Sequence, residues 1–228
     1  MGSWKRVVSE APIFTYHYNF GMGEANALAM ATSNGVVVVS PPCGIEKEAF
    51  AEVEGMGEVV AIVAPNRMHT LGIASWSARF PKANVYAPAQ AADTVAKKAG
   101  VSVHPVSEAT GLLGSEIELL DMPHYKAGEL LVRMKTPAVG VAWYVTDVLF
   151  NMPKLPPMPI GLIFKILGSA PGFKKNPVNA WLMMSDKRAV YRWLKEEGAK
   201  FPPSLVIPSH GVPLKMDPPG SELIILGG

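Results

Sequence analysis

Four polar side chains share one sequence context, and they are of the types that bind transition metals. His69, His124, Asp147 and His210 each follow an apolar stretch that predicts a β-strand, at the point where the chain turns. Strand ends on one edge of a sheet converge in space, and three imidazoles with one carboxylate are good ligands for zinc, iron or manganese. The four residues therefore predict a metal site, although each one taken singly also fits a structural role.

The elements that must position these residues alternate between strands and helices in the middle of the chain. Strands at both ends and a late helix complete a pattern that predicts two mixed sheets packed face to face, with helices outside. The predicted strands are 13–20, 25–32, 36–39, 59–63, 83–87, 101–106, 116–120, a pair between 130 and 145, and 205–207. The predicted helices are 46–54, 70–80, 89–99 and one capped by Ser185 or Asp186.

Composition narrows the class of protein. A chain of 228 residues, 49% of them apolar, is long enough to form one large domain over 1–228 with a sizeable core. A net charge of +2 is too small, and too evenly spread, to predict binding to nucleic acid or to an anionic membrane. The lone Cys43 cannot form an internal disulfide, and the amino terminus lacks the apolar core of a signal peptide. We therefore expect a cytoplasmic protein.

Residues 151–180 differ in composition from the rest of the chain. Pro, Gly, Met and Lys dominate this segment, which predicts a loop or lid rather than regular structure. Its apolar side chains would form a patch that monomers avoid, unless they fold over a cavity or build a homodimer. A lid of this kind would favour a small-molecule substrate with an apolar or acyl group.

From Ala25 to Pro213 the order of elements resembles the metallo-β-lactamase superfamily. The resemblance implies a four-layer αββα sandwich of two mixed sheets. Four stretches carry it: 27–44 is similar to the family's early hairpin, 122–128 to its Gly-His-Thr-Pro-Gly loop, 143–150 to the strand with the bridging aspartate at Asp147, and 208–211 to the terminal histidine turn.

The same comparison locates departures from the family pattern. The segment 59–72 resembles the one that normally reads Thr-His-x-His-x-Asp-His. In an ungapped overlay, however, the four ligand positions are taken by Asn66, Met68, Thr70 and Leu71, and Ser40 replaces the aspartate of the early turn. The usual two-metal site therefore cannot form. The pattern is similar to a degenerate branch of the superfamily, in which His124, Asp147 and His210 remain and His69 contributes only if its loop is rearranged.

Two kinds of hydrolytic chemistry fit these residues. One zinc, iron or manganese ion on three ligands would lower the pKa of bound water from 15.7 to about 7, which gives a nucleophile for an ester, lactone or thioester. Without a metal, Asp147 paired with His210 would act as a general base, typically worth about 10²–10⁴-fold. We predict a hydrolase of a small ester, lactone or related substrate. The alternative is a catalytically inactive binding or interaction protein that retains the fold.

Overall fold

The structure, a computed structural model, describes residues 2–21, 23–155, 158 and 160–227. Within these ranges the chain forms strands and α-helices with two short 3-10 helices. The strands are β1 (Lys5–Arg6), β2 (Ile13–Asn19), β3 (Glu24–Thr32), β4 (Gly35–Val39), β5 (Val59–Val63), β6 (Asn84–Ala87), β7 (His104–Pro105), β8 (Ile117–Asp121), β9 (Leu130–Thr136), β10 (Gly140–Val145), β11 (Leu149–Met152), β12 (Gly172–Lys175), β13 (Leu205–Pro208) and β14 (Leu214–Lys215). The helices are α1 (Lys47–Glu54), α2 (Ile73–Arg79), α3 (Ala92–Ala99), α4 (Ile160–Ile166), α5 (Pro177–Met183) and α6 (Lys187–Lys200).

Strands β1 to β7 form a seven-stranded sheet in chain order. The pairs from β1 to β4 are antiparallel, and those from β4 to β7 are parallel. β4 is an unbroken run of valines because both of its faces are covered. Val37 and Val39 face the second sheet, whereas Val36 and Val38 face the outer helices.

The second sheet has the strand order β14-β13-β10-β9-β8. β10 and β13 are parallel, and the other neighbours are antiparallel. Alternation along β9 assigns its two faces: Leu130, Val132 and Met134 pack against the first sheet, while Leu131 packs on the opposite side. β11 and β12 form a separate two-stranded ribbon.

Three apolar clusters define four layers. One cluster fills the space between the two sheets. A second joins the outer face of the seven-stranded sheet to α1, α2 and α3, and a third joins the outer face of the five-stranded sheet to α5 and α6. The predicted αββα sandwich of two mixed sheets is therefore confirmed.

The prediction for residues 151–180 was wrong in its secondary structure. The segment contains α4, β12 and most of α5, not only loop. Pro177 is the first residue of α5, where the missing N–H of proline removes no helical hydrogen bond, and Asn176 caps the helix by accepting from the N–H of Asn179. A high proline content therefore did not exclude helices here.

Several predicted element boundaries were also displaced. α2 begins at Ile73 rather than at 70, and α3 begins at Ala92 rather than at 89, because turns follow the preceding strands. The strand predicted at 101–106 shortens to β7, His104–Pro105. Asp186 caps α6 by accepting from the N–H groups of Arg188 and Ala189, as predicted. Among the described residues, no helix is long and apolar enough to cross a membrane.

Candidate metal centre

His69, Asp147 and His210 meet at one edge of the sandwich. They lie beyond the carboxyl ends of β5, β10 and β13, so both sheets contribute. One potential ligand atom from each residue lies within 4.8 Å of those of the other two. Two imidazoles and one carboxylate therefore form a compact donor set.

The distances within this donor set match those between neighbouring ligands of a metal ion. Nε2 of His210 lies 3.3 Å from Oδ1 of Asp147, and Nε2 of His69 lies 3.6 Å from Oδ2. Bonds of 2.0–2.2 Å in a tetrahedral site place neighbouring ligand atoms about 3.3–3.6 Å apart. The side chains of His69 and Asp147 are each 9% exposed and that of His210 is 14% exposed, so the site is largely buried.

The orientation of His210 points to a cation between its ring and Asp147. Nδ1 lies 2.9 Å from the backbone oxygen of Glu24, and because a carbonyl only accepts, Nδ1 carries a proton and donates it. In the neutral ring Nε2 then presents a lone pair to the Asp147 carboxylate. Two acceptors at 3.3 Å require a proton or a metal ion between them, so the donor set fits a divalent metal.

Close backbone packing fixes the turn that carries His210. Gly211 has φ +111°, and a Cβ there would lie 2.0 Å from the carbonyl oxygen of Asn151. The N–H of Asn151 donates to the carbonyl of His210, which ties the turn to β11. The sequence His210-Gly211 therefore places the imidazole against β11 in a position that a larger residue at 211 would disturb.

Ser40 and Asn66 hold His69. Nδ1 of His69 lies 2.8 Å from Oγ of Ser40, a buried residue at the end of β4 with φ +52°. Oδ1 of Asn66 accepts from the backbone N–H groups of Met68 and His69, which closes the turn after β5. Nε2 of His69 is thereby directed toward Asp147.

Asp147 is held by a second buried carboxylate and by the same asparagine. Nδ2 of Asn66 donates to Oδ2 of Asp147 at 2.7 Å and to Oε2 of Glu129 at 2.9 Å. Oε1 of Glu129 accepts from the backbone N–H of Asp147. Nδ2 of Asn176 donates to the backbone carbonyl of Asp147. Asn66, which is fully buried, thus links two of the three donors, His69 and Asp147.

The charges of this cluster follow from burial and proximity. Burial raises the pKa of Asp147, but the charges and hydrogen bonds of His69 and His210 outweigh burial and leave the pKa well below its usual range. Burial and the Asp147 charge raise the pKa of Glu129 well above its usual value. Burial lowers the pKa of His210, but Asp147 outweighs it and the net pKa is raised. Of the two carboxyl groups, Asp147 therefore ionises more readily than Glu129.

An aromatic wall borders the donor set. The rings of Phe20 and Phe150 lie 6.5 and 5.3 Å from the ring of His210 in edge-on geometry. Phe164 of α4 stacks on Phe150 at 6.1 Å. These rings give one side of the site an apolar surface.

No model of a known protein family matches the sequence, and no curated protein matches it either. Solved structures do match. The DIM-1 metallo-β-lactamase has a TM-score of 0.62 with 15% identity, covering 99% of this chain and 96% of that one. The chain has the metallo-β-lactamase fold. A variant of a flavo di-iron protein from Thermotoga maritima has a TM-score of 0.65 with 11% identity, and this chain spans 61% of its length.

Within the metallo-β-lactamase fold, three of the four residues predicted from sequence come together and one does not. His69, Asp147 and His210 form the donor set, whereas His124 is exposed and lies outside it. β8 runs in the same direction as β10 but is the edge strand, with β9 between them. This spacing places the end of β8 about 10 Å from the end of β10. The ligand roles themselves remain predictions.

Sequence reasoning missed two residues of this site and gave a third only a structural role. Asn66 lies three residues after the end of the buried strand β5, in the stretch where the metal signature was found to be absent. Glu129 is a charged residue that immediately precedes the apolar run of β9, a pattern that indicates a buried carboxylate. Ser40, expected to be structural, contacts a donor histidine through its hydroxyl.

Proposed function

We propose that this protein is a metal-assisted hydrolase of a small ester, lactone or related carbonyl compound. One zinc, iron or manganese ion would be held by His69, Asp147 and His210, without His124. The observation that carries the proposal is the pair of potential ligand atoms, Nε2 of His210 and Oδ1 of Asp147, which face each other at 3.3 Å across a site of ligand-like dimensions. An ion held there would act as a Lewis acid and lower the pKa of water from 15.7 to about 7.

The protein's own residues would contribute orientation and charge. Asp147 supplies the negative charge, and Asn66 and the Glu129 side chain fix the direction of its carboxylate. The Glu24 carbonyl and the Ser40 hydroxyl fix the two imidazoles. Such partners of metal ligands typically change metal affinity or activity by about 10–100-fold.

The aromatic wall supports an apolar acyl group as part of the substrate. Phe20 and Phe150 border His210, and Phe164 extends this surface along α4. Each methylene buried against such a surface contributes about 0.8 kcal/mol. We therefore propose that longer acyl chains react better than acetyl groups.

The metal-free general-base mechanism has less support from the geometry. Both ring nitrogens of His210 are engaged, Nδ1 with the Glu24 carbonyl and Nε2 with Asp147. A general base needs a nitrogen within hydrogen-bond reach of the water it deprotonates. A proton shared with Asp147 would occupy the only candidate nitrogen of this ring.

The test combines elemental analysis with an ester series. Protein expressed with added zinc, iron or manganese should contain about one ion per chain, and it should hydrolyse p-nitrophenyl octanoate faster than the acetate. His104→Ala is a suitable control, since His104 is exposed and its Nδ1 pairs with Glu108. Metal well below one ion per chain would refute the metal centre and leave the interaction-protein alternative. Metal without turnover of any ester would refute only the substrate class.

A further inference from the structure

The chain between Asp147 and Asp186 is unusual in its charges. It contains no acidic residue, and it contains four lysines, Lys154, Lys165, Lys174 and Lys175. The whole chain has nearly balanced charges, with 21 basic and 19 acidic residues. The positive charge is therefore concentrated in the segment that forms β11, α4, β12 and α5.

Exposed apolar side chains are concentrated in the same segment. Of the eleven exposed large apolar side chains among the described residues, six lie between Asp147 and Asp186. They are Met158, Leu162, Ile166, Leu167, Trp181 and Leu182. Ile166 is 74% exposed and Trp181 is 80% exposed, and monomers rarely expose large contiguous apolar patches.

Helix α4 presents different residues to the protein and to the outside. Phe164 stacks on Phe150 next to His210, so this side of the helix faces the site. Leu162 and Ile166 are four residues apart and share a face, which lies about 200° around the helix from Phe164. Exposed Lys165 adjoins that outer face. α4 therefore has apolar side chains on its inner and its outer face, and the outer face is flanked by lysine.

We propose that this face, formed by Leu162, Ile166 and Leu167 and flanked by Lys165, docks on an anionic phospholipid bilayer. Apolar side chains enter the boundary between head groups and acyl chains, while lysines remain among the anionic head groups. Trp181, exposed on α5, is of the residue type that anchors proteins at this boundary. The contact is peripheral, with α4 lying in the plane of the surface.

The positive charge of the segment favours a bilayer over a second copy of this chain as the partner of this face. A two-fold dimer would bring the same face together from both copies, so lysines would meet lysines with no carboxylate from the segment to pair with them. An anionic bilayer supplies the missing negative charge and an apolar layer at once. Each lysine near such a surface is worth roughly a fivefold change in binding constant.

This inference departs from the expectation drawn from net charge. A sum over 228 residues gives +2 and predicts no affinity for an anionic membrane. The surface charge that a bilayer meets depends on local distribution, because the interaction falls off within a Debye length of about 8–10 Å. The acid-free segment is the region in which such a local excess occurs.

Vesicle sedimentation with the full chain tests the proposal. The protein should sediment with vesicles of phosphatidylcholine and phosphatidylserine at low ionic strength, but not with phosphatidylcholine alone. Leu162→Ser combined with Ile166→Ser should weaken this binding more than tenfold. The matched control, Leu112→Ser with Ile224→Ser, removes two exposed apolar side chains outside the segment and should bind as the wild type does.

A charge-matched pair of variants isolates the lysines. Lys154→Gln, Lys165→Gln and Lys174→Gln together should weaken binding about a hundredfold, if each lysine contributes roughly fivefold. Lys47→Gln, Lys82→Gln and Lys97→Gln change the net charge equally at exposed sites near α1, α2 and α3, and should change binding little.

Three results would overturn the proposal. The first is wild-type protein that stays in the supernatant with phosphatidylserine vesicles. The second is equal weakening by the control variants. The third is a dimer, measured by light scattering, that Leu162→Ser with Ile166→Ser dissociates, since a second copy would then be the occupant. None of these measurements requires turnover or bound metal, so failure here leaves the proposed hydrolase activity untouched.

Discussion

Two groups of charged side chains lie at opposite ends of β9, and the partners of their carboxyl groups differ. On the outer face, Arg133 donates to Glu118 and Glu197, while Lys135 and Lys200 bind the remaining carboxylate oxygens of these two residues. Every carboxylate oxygen of this group has a cationic donor. We call it the Arg133 network.

The candidate metal centre begins at the other end of the same strand. Glu129 and Asp147 lie side by side there, and in the described part of the chain no lysine or arginine forms an ion pair with either. Their partners are an asparagine, backbone N–H groups and two imidazoles. The Arg133 network is complete without a ligand, whereas the candidate metal centre needs an added proton or cation. This difference is what we expect between a stabilising group and a binding site.

The largest expected effect is the loss of metal on Asp147→Ala. Asp147 is the only carboxylate in the proposed ligand set, so its removal should lower metal affinity by more than the 10–100-fold typical of a ligand's partner. Competition with a chelator measures this change. Asp93→Ala, at an exposed position in α3, should retain the wild-type affinity. Equal metal content in both variants would contradict our ligand assignment.

Arg133→Met should show the opposite behaviour. It leaves Glu118 and Glu197 without their shared cation, and we expect unfolding free energy to fall by about 2–4 kcal/mol, below the full value for a buried pair because Glu118 is partly exposed. Metal affinity should not change. Urea unfolding measures the effect, with Arg192→Met at an exposed site as the control. Loss of metal without loss of stability would break the distinction between the two groups.

Asn66→Ala tests a residue that would affect metal binding only by positioning other side chains. It removes the donor shared by Glu129 and Asp147 and the acceptor that closes the His69 turn, so metal affinity should fall by about 10–100-fold. The visible spectrum of the cobalt-substituted protein should also change, because ligand directions shift. Asn84→Ala on β6 provides an exposed control. An unchanged cobalt spectrum would mean that Asn66 does not position the ligands.

The Arg133 network should confer stability that depends on pH. Burial raises the pKa values of Glu118 and Glu197, but bonds from Lys135, Lys200 and Arg133 outweigh burial and lower both below the usual 4.5. This stability is present above pH 4.5 and is lost as pH falls through the lowered pKa values. As the pH is lowered, the urea unfolding midpoints of the wild type and of Arg133→Met should therefore converge. If the difference between the two midpoints stayed constant down to the pH at which the protein unfolds in acid, the lowered pKa values of Glu118 and Glu197 would not be its cause.

The smallest effect is expected for His124→Asn. His124 has φ +60°, which asparagine tolerates, and its side chain lies outside the donor set. Metal content should stay at the wild-type level, and stability should change by less than about 0.5 kcal/mol. Elemental analysis is sufficient for this measurement. Metal loss would return His124 to the ligand set predicted from the sequence.

Local sequence patterns predicted much of the fold correctly. The β3–β4 and β9–β10 hairpins were found where the predicted strands placed them. The helices α4 and α5 were missed because proline-rich composition argues against helix on average, although Pro177 sits where proline is tolerated. Average composition also concealed the local excess of lysine between Asp147 and Asp186.

The sequence by itself determined the αββα layering and the residue types at the strand ends, because periodicity of apolar residues assigns each segment a buried face. It could not decide which strand ends meet. His69 was ranked below His124, yet the structure joins His69 to Asp147 and His210 and leaves His124 outside. Strand order and the direction of each loop decide such contacts. They depend on pairings between segments far apart in the chain, such as β10 with β13, which no local pattern contains.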